Sequence, residues 1–294
     1  MTESRSGGSG CGPDDQSSGP HASPPSSYAS PDPGPEPPAE SAAAASRVFG
    51  DRLDLAVRYA RLLMSDGVVR GLIGPREAPR IWERHLINCG VMSEMIFYGA
   101  SVMDIGSGAG LPGIVLAVAR PDLTITLVEP LARRTAFLSE AVTALGLDST
   151  VTVVRGRAEE LVGGPPAADV VTARAVAPLD RLAGWCLPLA AVGGRLLALK
   201  GASAADEVRE HRQAIVRLGG AEPAVVRCGQ GVIEPPATVV EIVRERAVAS
   251  AVRASGRSRS VSGSGSGAPA SDRRGGKGGR GGRGTTGQRR TRRG

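Results

Sequence analysis

The stretch from residue 102 to residue 113 constrains the fold more than any other part of this chain. It reads Val-Met-Asp-Ile-Gly-Ser-Gly-Ala-Gly-Leu-Pro-Gly, a short apolar run followed by glycines that alternate with small residues. Glycines at a strand-to-helix turn allow positive φ and let a ligand approach the backbone without meeting a Cβ. Residues 111–119 then predict a helix, because Pro112 near its first position gives up an N–H that would have no partner.

A second apolar run follows at residues 124–128 and ends in an acid, Glu129. An acid about 20 residues after the glycines, at the tip of the second strand, is placed to accept hydrogen bonds from ribose hydroxyls. The two runs together therefore predict a nucleoside-binding fold.

The spacing of the glycines favours one kind of nucleoside. Dinucleotide sites carry G-x-G-x-x-G, in which a helix N-terminus faces a pyrophosphate, whereas Gly106, Gly108 and Gly110 follow G-x-G-x-G after Asp104. A carboxylate so close would repel a diphosphate but suits a cationic ligand. S-adenosylmethionine (AdoMet) carries a sulfonium and an α-amino group, so we predict AdoMet as the cofactor. The alternatives are a plain tight turn and, disfavoured by the spacing, a nicotinamide-dependent oxidoreductase.

The two ends of the chain differ from its centre. Residues 1–45 are rich in Pro, Ser, Gly and Ala, and residues 248–294 are rich in Gly, Ser and Arg. Such segments bury too little apolar surface to offset the entropy of ordering them, so both are predicted to be disordered. Between them we expect a helical cap over residues 46–98 and an α/β domain over residues 99–247.

The net charge of +7 is unevenly distributed. Residues 251–294 carry a net charge of +11, residues 1–45 carry −5, and the part between them carries +1. Arginine-rich disordered segments bind phosphate backbones without reading sequence, and salt weakens them steeply. We expect the basic tail to aid RNA binding; a merely solubilising extension is the alternative.

Cysteine usage and hydropathy indicate where the protein works. Cys11, Cys89, Cys186 and Cys228 form no C-x-x-C pair, so neither a zinc site nor a disulfide framework is predicted. The N-terminus lacks the apolar region of a signal peptide, and no run approaches the about 18 apolar residues of a membrane span. These patterns predict a cytoplasmic protein without a metal site.

Apolar runs and helical periods alternate after Ser101. This alternation predicts a doubly wound, mostly parallel sheet, preceded by a cap in which Leu53, Ala56, Tyr59 and Leu63 follow helical spacing. The last two runs have no helix between them, so we expect them to be antiparallel. The predicted strands are residues 102–105, 124–128, 151–154, 169–173, 195–199, 224–227 and 238–244.

Ligands of such sheets bind at the carboxyl ends of the strands, so the residues there are the candidates. Ala158 and Glu159 follow the third strand, where adenine would lie; alternatively Glu159 only complements a helix dipole. Arg174 follows the fourth strand, where a guanidinium could stack on a base or hold a phosphate. Lys200 follows the fifth and is a candidate phosphate contact. His85 shares a helix face with Trp82, and we expect both to pack the cap against the sheet.

Four segments together resemble a known family. Residues 82–88 (Trp-Glu-Arg-His-Leu-Ile-Asn), residues 104–113, Arg174-Ala175 and residues 198–201 (Ala-Leu-Lys-Gly) are similar, in order and spacing, to the bacterial 16S rRNA guanine-N7 methyltransferases. That family is also called glucose-inhibited division protein B, and the likeness covers about residues 46–245. The chain departs from the pattern at Asn88-Cys89, where many members have Asp-Ser.

The resemblance implies a class I AdoMet-dependent methyltransferase fold, Rossmann-like with seven strands and an antiparallel last pair. It also implies 16S rRNA or a small-subunit precursor as the substrate, and AdoMet contacts at Gly106, Leu111, Ala158, Glu159 and Arg174. With the residues found from the pattern, the predicted AdoMet contacts are Asp104, Gly106, Gly108, Gly110, Leu111, Glu129, Ala158, Glu159 and Arg174.

Guanine N7 has an in-plane lone pair and no proton, so its methylation needs no general base and depends on proximity and orientation. We therefore assign no catalytic residue, and Arg174 and Lys200 are predicted to position the reactants in a monomeric enzyme. The alternatives are an AdoMet-dependent methyltransferase of small molecules and a non-catalytic, ribosome-associated RNA-binding protein.

Overall fold

The computed structural model describes residues 35–174 and 177–248 of the chain, and its amino-terminal part is helical. Helices α1 (Ala39–Phe49) and α2 (Leu53–Leu62) are joined by a 3-10 turn (Gly50–Arg52), and a π turn (Leu63–Gly67) follows. A second helical stretch then passes through a 3-10 turn (Ala78–Arg80), a π-helix (Ile81–Ile87), α3 (Asn88–Gly90) and a further 3-10 turn (Val91–Met95). We call these elements together the cap.

Helix α1 corrects the expected boundary of the disordered head at residue 45. The run of alanines there has a high helix propensity, and the helix buries Ser41, Ala45 and Phe49. The Phe49 ring packs edge-on against Trp82, with the ring centroids 6.2 Å apart. Residues 39–45 are therefore part of the cap. The rest of the predicted head up to residue 34, including Cys11, and the basic tail from residue 249 lie outside the described residues.

Strands and helices alternate after the cap. They are β1 (Ser101–Ile105), α4 (Gly113–Ala119), β2 (Thr124–Glu129), α5 (Ala132–Leu145), β3 (Val151–Arg155), α6 (Ala158–Leu161), β4 (Ala168–Arg174), α7 (Leu179–Cys186), a 3-10 turn (Leu187–Leu189), β5 (Ala190–Lys200), α8 (Ala204–Arg217), β6 (Ala224–Cys228) and β7 (Ala237–Val243). All seven predicted strands are present. Strand β5 begins at Ala190 and not at residue 195, and it includes Gly193 and Gly194.

One sheet has the strand order β3-β2-β1-β4-β5-β7-β6. Strands β1 to β5 are parallel to one another, and β7 is antiparallel to both β5 and β6. This arrangement confirms the predicted class I methyltransferase fold, including its antiparallel last pair.

Two apolar cores cover the sheet, one on each face. The cap, α4 and α5 pack on one face, whereas α7 and α8 pack on the other. Successive residues of a strand point to opposite faces, so Val102 belongs to the first core and Met103 to the second. The carboxyl ends of β1 to β5 lie at one edge between these layers. None of the helices in the described part of the chain combines the length and the apolar composition that a membrane span requires.

Candidate AdoMet site

A cavity of about 610 Å³ opens at the carboxyl edge of the sheet. Its volume is within the range of small-molecule sites. The wall consists of strand ends, the cap, α5 and α7. From the strand ends come Ile105, Gly106, Ser107, Gly108, Ala109, Leu111, Val128, Glu129, Pro130, Leu131, Gly156, Arg157, Ala158, Glu159 and Arg174, and from elsewhere Leu72, Ile73, His85, Arg134 and Trp185.

The glycine turn forms the floor beside β1. Gly106, Gly108 and Gly110 have φ values of 69°, 59° and 94°, which confirms the positive φ expected of them. A Cβ at Gly110 would lie 2.6 Å from Cδ1 of Ile114 and 2.7 Å from Oη of Tyr59. Gly106 and Gly108 line the cavity, whereas Gly110 faces these two side chains and is absent from its wall.

Asp104 lies beneath the turn and not in the cavity wall. Its side chain is fully buried, and Oδ2 accepts a hydrogen bond of 3.1 Å from the Gly113 N–H while Oδ1 accepts one of 3.1 Å from Oγ1 of Thr172. Burial raises the pKa of Asp104 to about 6. We expected Asp104 to contact AdoMet, but the alternation along β1 turns its side chain toward α4, and Asp104 is absent from the cavity wall. It ties the start of α4 to β4.

Glu129 lies in the wall at the end of β2. Its Oε2 accepts a hydrogen bond of 3.0 Å from the Gly108 N–H, and its Oε1 accepts one of 3.0 Å from the Leu131 N–H. The guanidinium of Arg134 lies 3.8 Å away. Glu129 therefore links the glycine turn to the turn after β2, and its contact with ribose stays a prediction.

The remaining candidates are divided between two places. Leu111, Ala158 and Glu159 line the cavity, where Ala158 is buried and Glu159 is exposed. Lys200 lies apart, in a second depression beside α7 and α8. Its Nζ is paired with Glu207 at 2.7 Å and donates to the Ala177 carbonyl at 2.9 Å. The structure thus separates Lys200 from the predicted AdoMet contacts.

Arg174 joins the end of β4 to the cap through a residue that we had predicted only to pack. His85 lines the cavity, and its Nδ1 lies 2.6 Å from Nη2 of Arg174. Nη1 of Arg174 donates to Sγ of Cys89 at 3.2 Å. The four-residue spacing of His85 and Cys89 along a helix was the signal in the sequence, since such residues share a face.

The charge state of His85 follows from its neighbours. Arginine can only donate hydrogen bonds, so Nδ1 accepts from Arg174, and Nε2–H donates to Oε2 of Glu77 at 3.1 Å. Burial, followed by the charge of Arg174, lowers the pKa of His85 to about 4. His85 is therefore neutral at pH 7.

Comparison with known proteins decides the family. The sequence profile of the family described as rRNA small subunit methyltransferase G matches residues 52–252. The chain belongs to the rRNA small subunit methyltransferase G family. Within the described part of this family member, no group of three or more His, Cys, Asp or Glu side chains could hold a metal ion.

Relatives named ribosomal RNA small subunit methyltransferase G support this membership. The protein of Salinispora tropica is 68% identical over 220 residues, which cover 73% of this chain and 91% of that protein. The protein of Rhodococcus jostii is 59% identical over 204 residues, 69% of this chain and 89% of its own length. A solved structure of a putative S-adenosyl-L-methionine-dependent methyltransferase from Methanococcus maripaludis has 13% identity and a TM-score of 0.46, covering 64% of this chain and 94% of that one.

Proposed function

We propose that this protein transfers a methyl group from AdoMet to N7 of a guanine in 16S rRNA. Its family carries the coarser part of this statement, an AdoMet-dependent methyltransferase of small-subunit rRNA. The choice of N7 is supported by one observation, which is that the buried titratable groups of the cavity are already engaged.

Two buried groups of the cavity wall could otherwise act as bases. Both nitrogens of His85 are in hydrogen bonds, and its low pKa of about 4 makes it a poor proton acceptor. Both carboxylate oxygens of Glu129 accept backbone N–H groups. Guanine N7 carries no proton and attacks with an in-plane lone pair, so a wall of this kind suits it. An exocyclic amine or a hydroxyl would have to lose a proton.

The residues of the wall fit AdoMet. Gly106 and Gly108 would leave the backbone of the turn open to the methionine part, and Glu129 would accept hydrogen bonds from the ribose hydroxyls. Ala158 and Glu159 would read the edge of adenine. When bound, AdoMet supplies a methyl group activated by its sulfonium.

Arg174 positions the reactants in this proposal. Methylation leaves a positive charge on the guanine, and a guanidinium beside it would oppose that charge, so Arg174 is not an electrostatic catalyst. Its donors can instead hold AdoMet or the nucleotide in line, which is the main requirement of this reaction. Lys200, 2.7 Å from Glu207, would then act farther out, on the RNA backbone.

The RNA partner involves more of the chain than the cavity. We propose that a 16S rRNA or small-subunit precursor also binds the basic tail, whose net charge of +11 favours a phosphate backbone. The protein would act as a monomer, in the cytoplasm where ribosomes are assembled.

N7-methylguanine in 16S rRNA tests the proposal directly. We expect cells that lack this protein to lose one such base, and expect wild type to restore it where Arg174→Ala does not. Loss of a methyl group from another atom of 16S rRNA would refute the assignment to N7 but would still support methylation of rRNA by this protein. An unchanged set of methylated rRNA bases would refute both.

A further inference from the structure

Within the described part of the chain, the hydrogen-bond partners of the Arg174 guanidinium come from the cap. The side chain of Arg174 leaves the end of β4 and meets Nδ1 of His85 at 2.6 Å and Sγ of Cys89 at 3.2 Å. The guanidinium is planar and carries five donors in a rigid fork. Because both terminal nitrogens are held by these contacts, the plane of the guanidinium is fixed and its remaining donors have a set direction. Arg174 lines the cavity, so this direction bears on the ligand.

The two contacts differ in strength. A thiol sulfur is a weak acceptor, whereas the lone pair of a neutral imidazole is a good one. A hydrogen bond from a charged donor is also stronger than one between neutral groups. His85 is therefore the main anchor of Arg174, and Cys89 supports it.

Glu77 keeps His85 in the form that this anchor requires. Oε2 of Glu77 accepts from Nε2–H of the ring at 3.1 Å, while Oε1 pairs with Arg84 at 3.0 Å. The proton thus stays on Nε2, and Nδ1 keeps its lone pair for Arg174. The charged groups that face the ring are Glu77 and Arg84 from the cap and Arg174 from the sheet.

We propose that His85 is a positioning residue, which acts through Arg174 to orient the guanidinium in the methyl-donor cavity, and that Glu77 supports it by holding the Nε2–H tautomer. The proposal rests on the proposed function and adds a residue to its site. It makes the cap a part of the AdoMet site, since the cap supplies the acceptor that aims a residue of the sheet.

The hydrogen-bond chain is tested in the protein without substrate. The sequence has only three histidines, His21, His85 and His211, so ¹⁵N-histidine NMR can be assigned by comparison with His85→Asn. We expect His85 to be neutral and protonated at Nε2 at pH 6, and expect Arg174→Ala to raise its pKa because the neighbouring positive charge is lost. A charged ring at pH 6, or a proton on Nδ1, would overturn the proposal whatever reaction the protein catalyses.

A double-mutant cycle tests transmission to the reaction. His85→Leu removes the acceptor, whereas Oδ1 of the side chain in His85→Asn can replace Nδ1. We expect His85→Leu to lower kcat/KM for methyl transfer to 16S rRNA about tenfold, the effect of one lost hydrogen bond to a charged group, and expect His85→Asn to stay within about threefold. In an Arg174→Ala background, His85→Leu should cause no further decrease in kcat/KM.

The outcomes separate the two proposals. Additive losses from His85→Leu and Arg174→Ala, or a His85→Leu variant with wild-type kcat/KM, would overturn the role of His85. Circular dichroism and thermal melting check that each variant is folded, and a misfolded His85→Leu leaves His85→Asn and the NMR tautomer to decide. A wild-type protein that methylates no 16S rRNA contradicts the proposed function instead, and the NMR result then still stands.

Discussion

The hydroxyl of Tyr59 donates a hydrogen bond of 2.6 Å to the backbone carbonyl of Ala109, inside the glycine turn. Tyr59 is fully buried in helix α2 of the cap, and burial raises its pKa well above the usual value, so it stays a donor. Asp104 holds the end of the same turn from β1, and Glu129 holds Gly108 from β2. Three separate elements therefore set the shape of the turn that would receive the methyl donor.

Tyr59→Phe should weaken AdoMet binding as well as stability. The change leaves a buried carbonyl without its donor, which lowers the free energy of unfolding by about 1–2 kcal/mol, and it loosens a turn that lines the cavity. We expect the dissociation constant for AdoMet in calorimetry to rise about fivefold, the scale of one lost neutral hydrogen bond.

Ser101→Ala is the matched control for Tyr59→Phe. At the opposite end of β1, it removes two hydrogen bonds with Asp169, one of 2.7 Å that Oγ donates to Oδ2 and one of 3.0 Å that Oγ accepts from the Asp169 N–H. The control should lower stability and leave AdoMet affinity unchanged. Equal losses of AdoMet affinity in both variants would mean that the hydrogen bond from Tyr59 does not specifically stabilise the glycine turn.

Asp104→Asn should change how stability depends on pH. The pKa of Asp104 in the folded protein, about 6, is above its ordinary value of 3.8, so the contribution of Asp104 to stability is full at low pH and is lost as pH rises through 6. Relative to the variant, wild type should lose about 2 kcal/mol of unfolding free energy between pH 4 and pH 7. Urea unfolding of both proteins across this range measures the difference. Parallel curves would show that the buried carboxyl titrates normally.

Gly110→Ala should be far more damaging than Gly99→Ala. Both glycines have positive φ, 94° and 73°, but a Cβ at Gly99 meets nothing within 4 Å, whereas one at Gly110 meets Ile114 and Tyr59. We expect Gly99→Ala to lower the free energy of unfolding by about 1 kcal/mol. Gly110→Ala should lower it by more than twice as much and abolish AdoMet binding. Thermal melting and calorimetry compare the pair, and similar effects would contradict the steric argument.

Arg174→Ala should abolish most methyl transfer while leaving the fold intact. Arg174→Lys should not restore it, because an ammonium cannot reproduce the planar fork held by His85 and Cys89. Tritium transfer from labelled AdoMet to 16S rRNA gives the rate. The exposed Arg209, paired with Asp206 outside the cavity, serves as the control in Arg209→Ala. If Arg174→Ala transferred methyl groups at nearly the wild-type rate, the positioning role of Arg174 would be refuted.

Truncation before Ala251 should lower RNA affinity mainly at low salt. The removed segment carries 12 Lys and Arg residues and one Asp. Loss of these phosphate contacts should flatten the dependence of log K on log salt concentration. Fluorescence anisotropy with an rRNA fragment at several salt concentrations measures the slope. An unchanged slope would favour a merely solubilising tail.

Local patterns were sufficient for the architecture. Alternation of apolar runs with helical periods predicts all seven strands, and the glycines predict positive φ, because both depend on residues close in sequence. The boundary at residue 45 was wrong, since Phe49 and Ala45 stabilise α1 by packing inside the cap. The helix propensity of the alanines indicated a helix at this point, but the Pro-, Ser- and Gly-rich composition of residues 1–45 as a whole favoured disorder.

The site was only partly predictable. Local patterns identify the residues at the end of each strand, and parallel strands bring Gly106, Glu129, Ala158 and Arg174 to one edge. The support of the turn by Asp104 and the contact of His85 with Arg174 emerge only when the chain is folded. These roles depend on which face of a strand a side chain occupies and on a partner 89 residues away, and no local pattern encodes either.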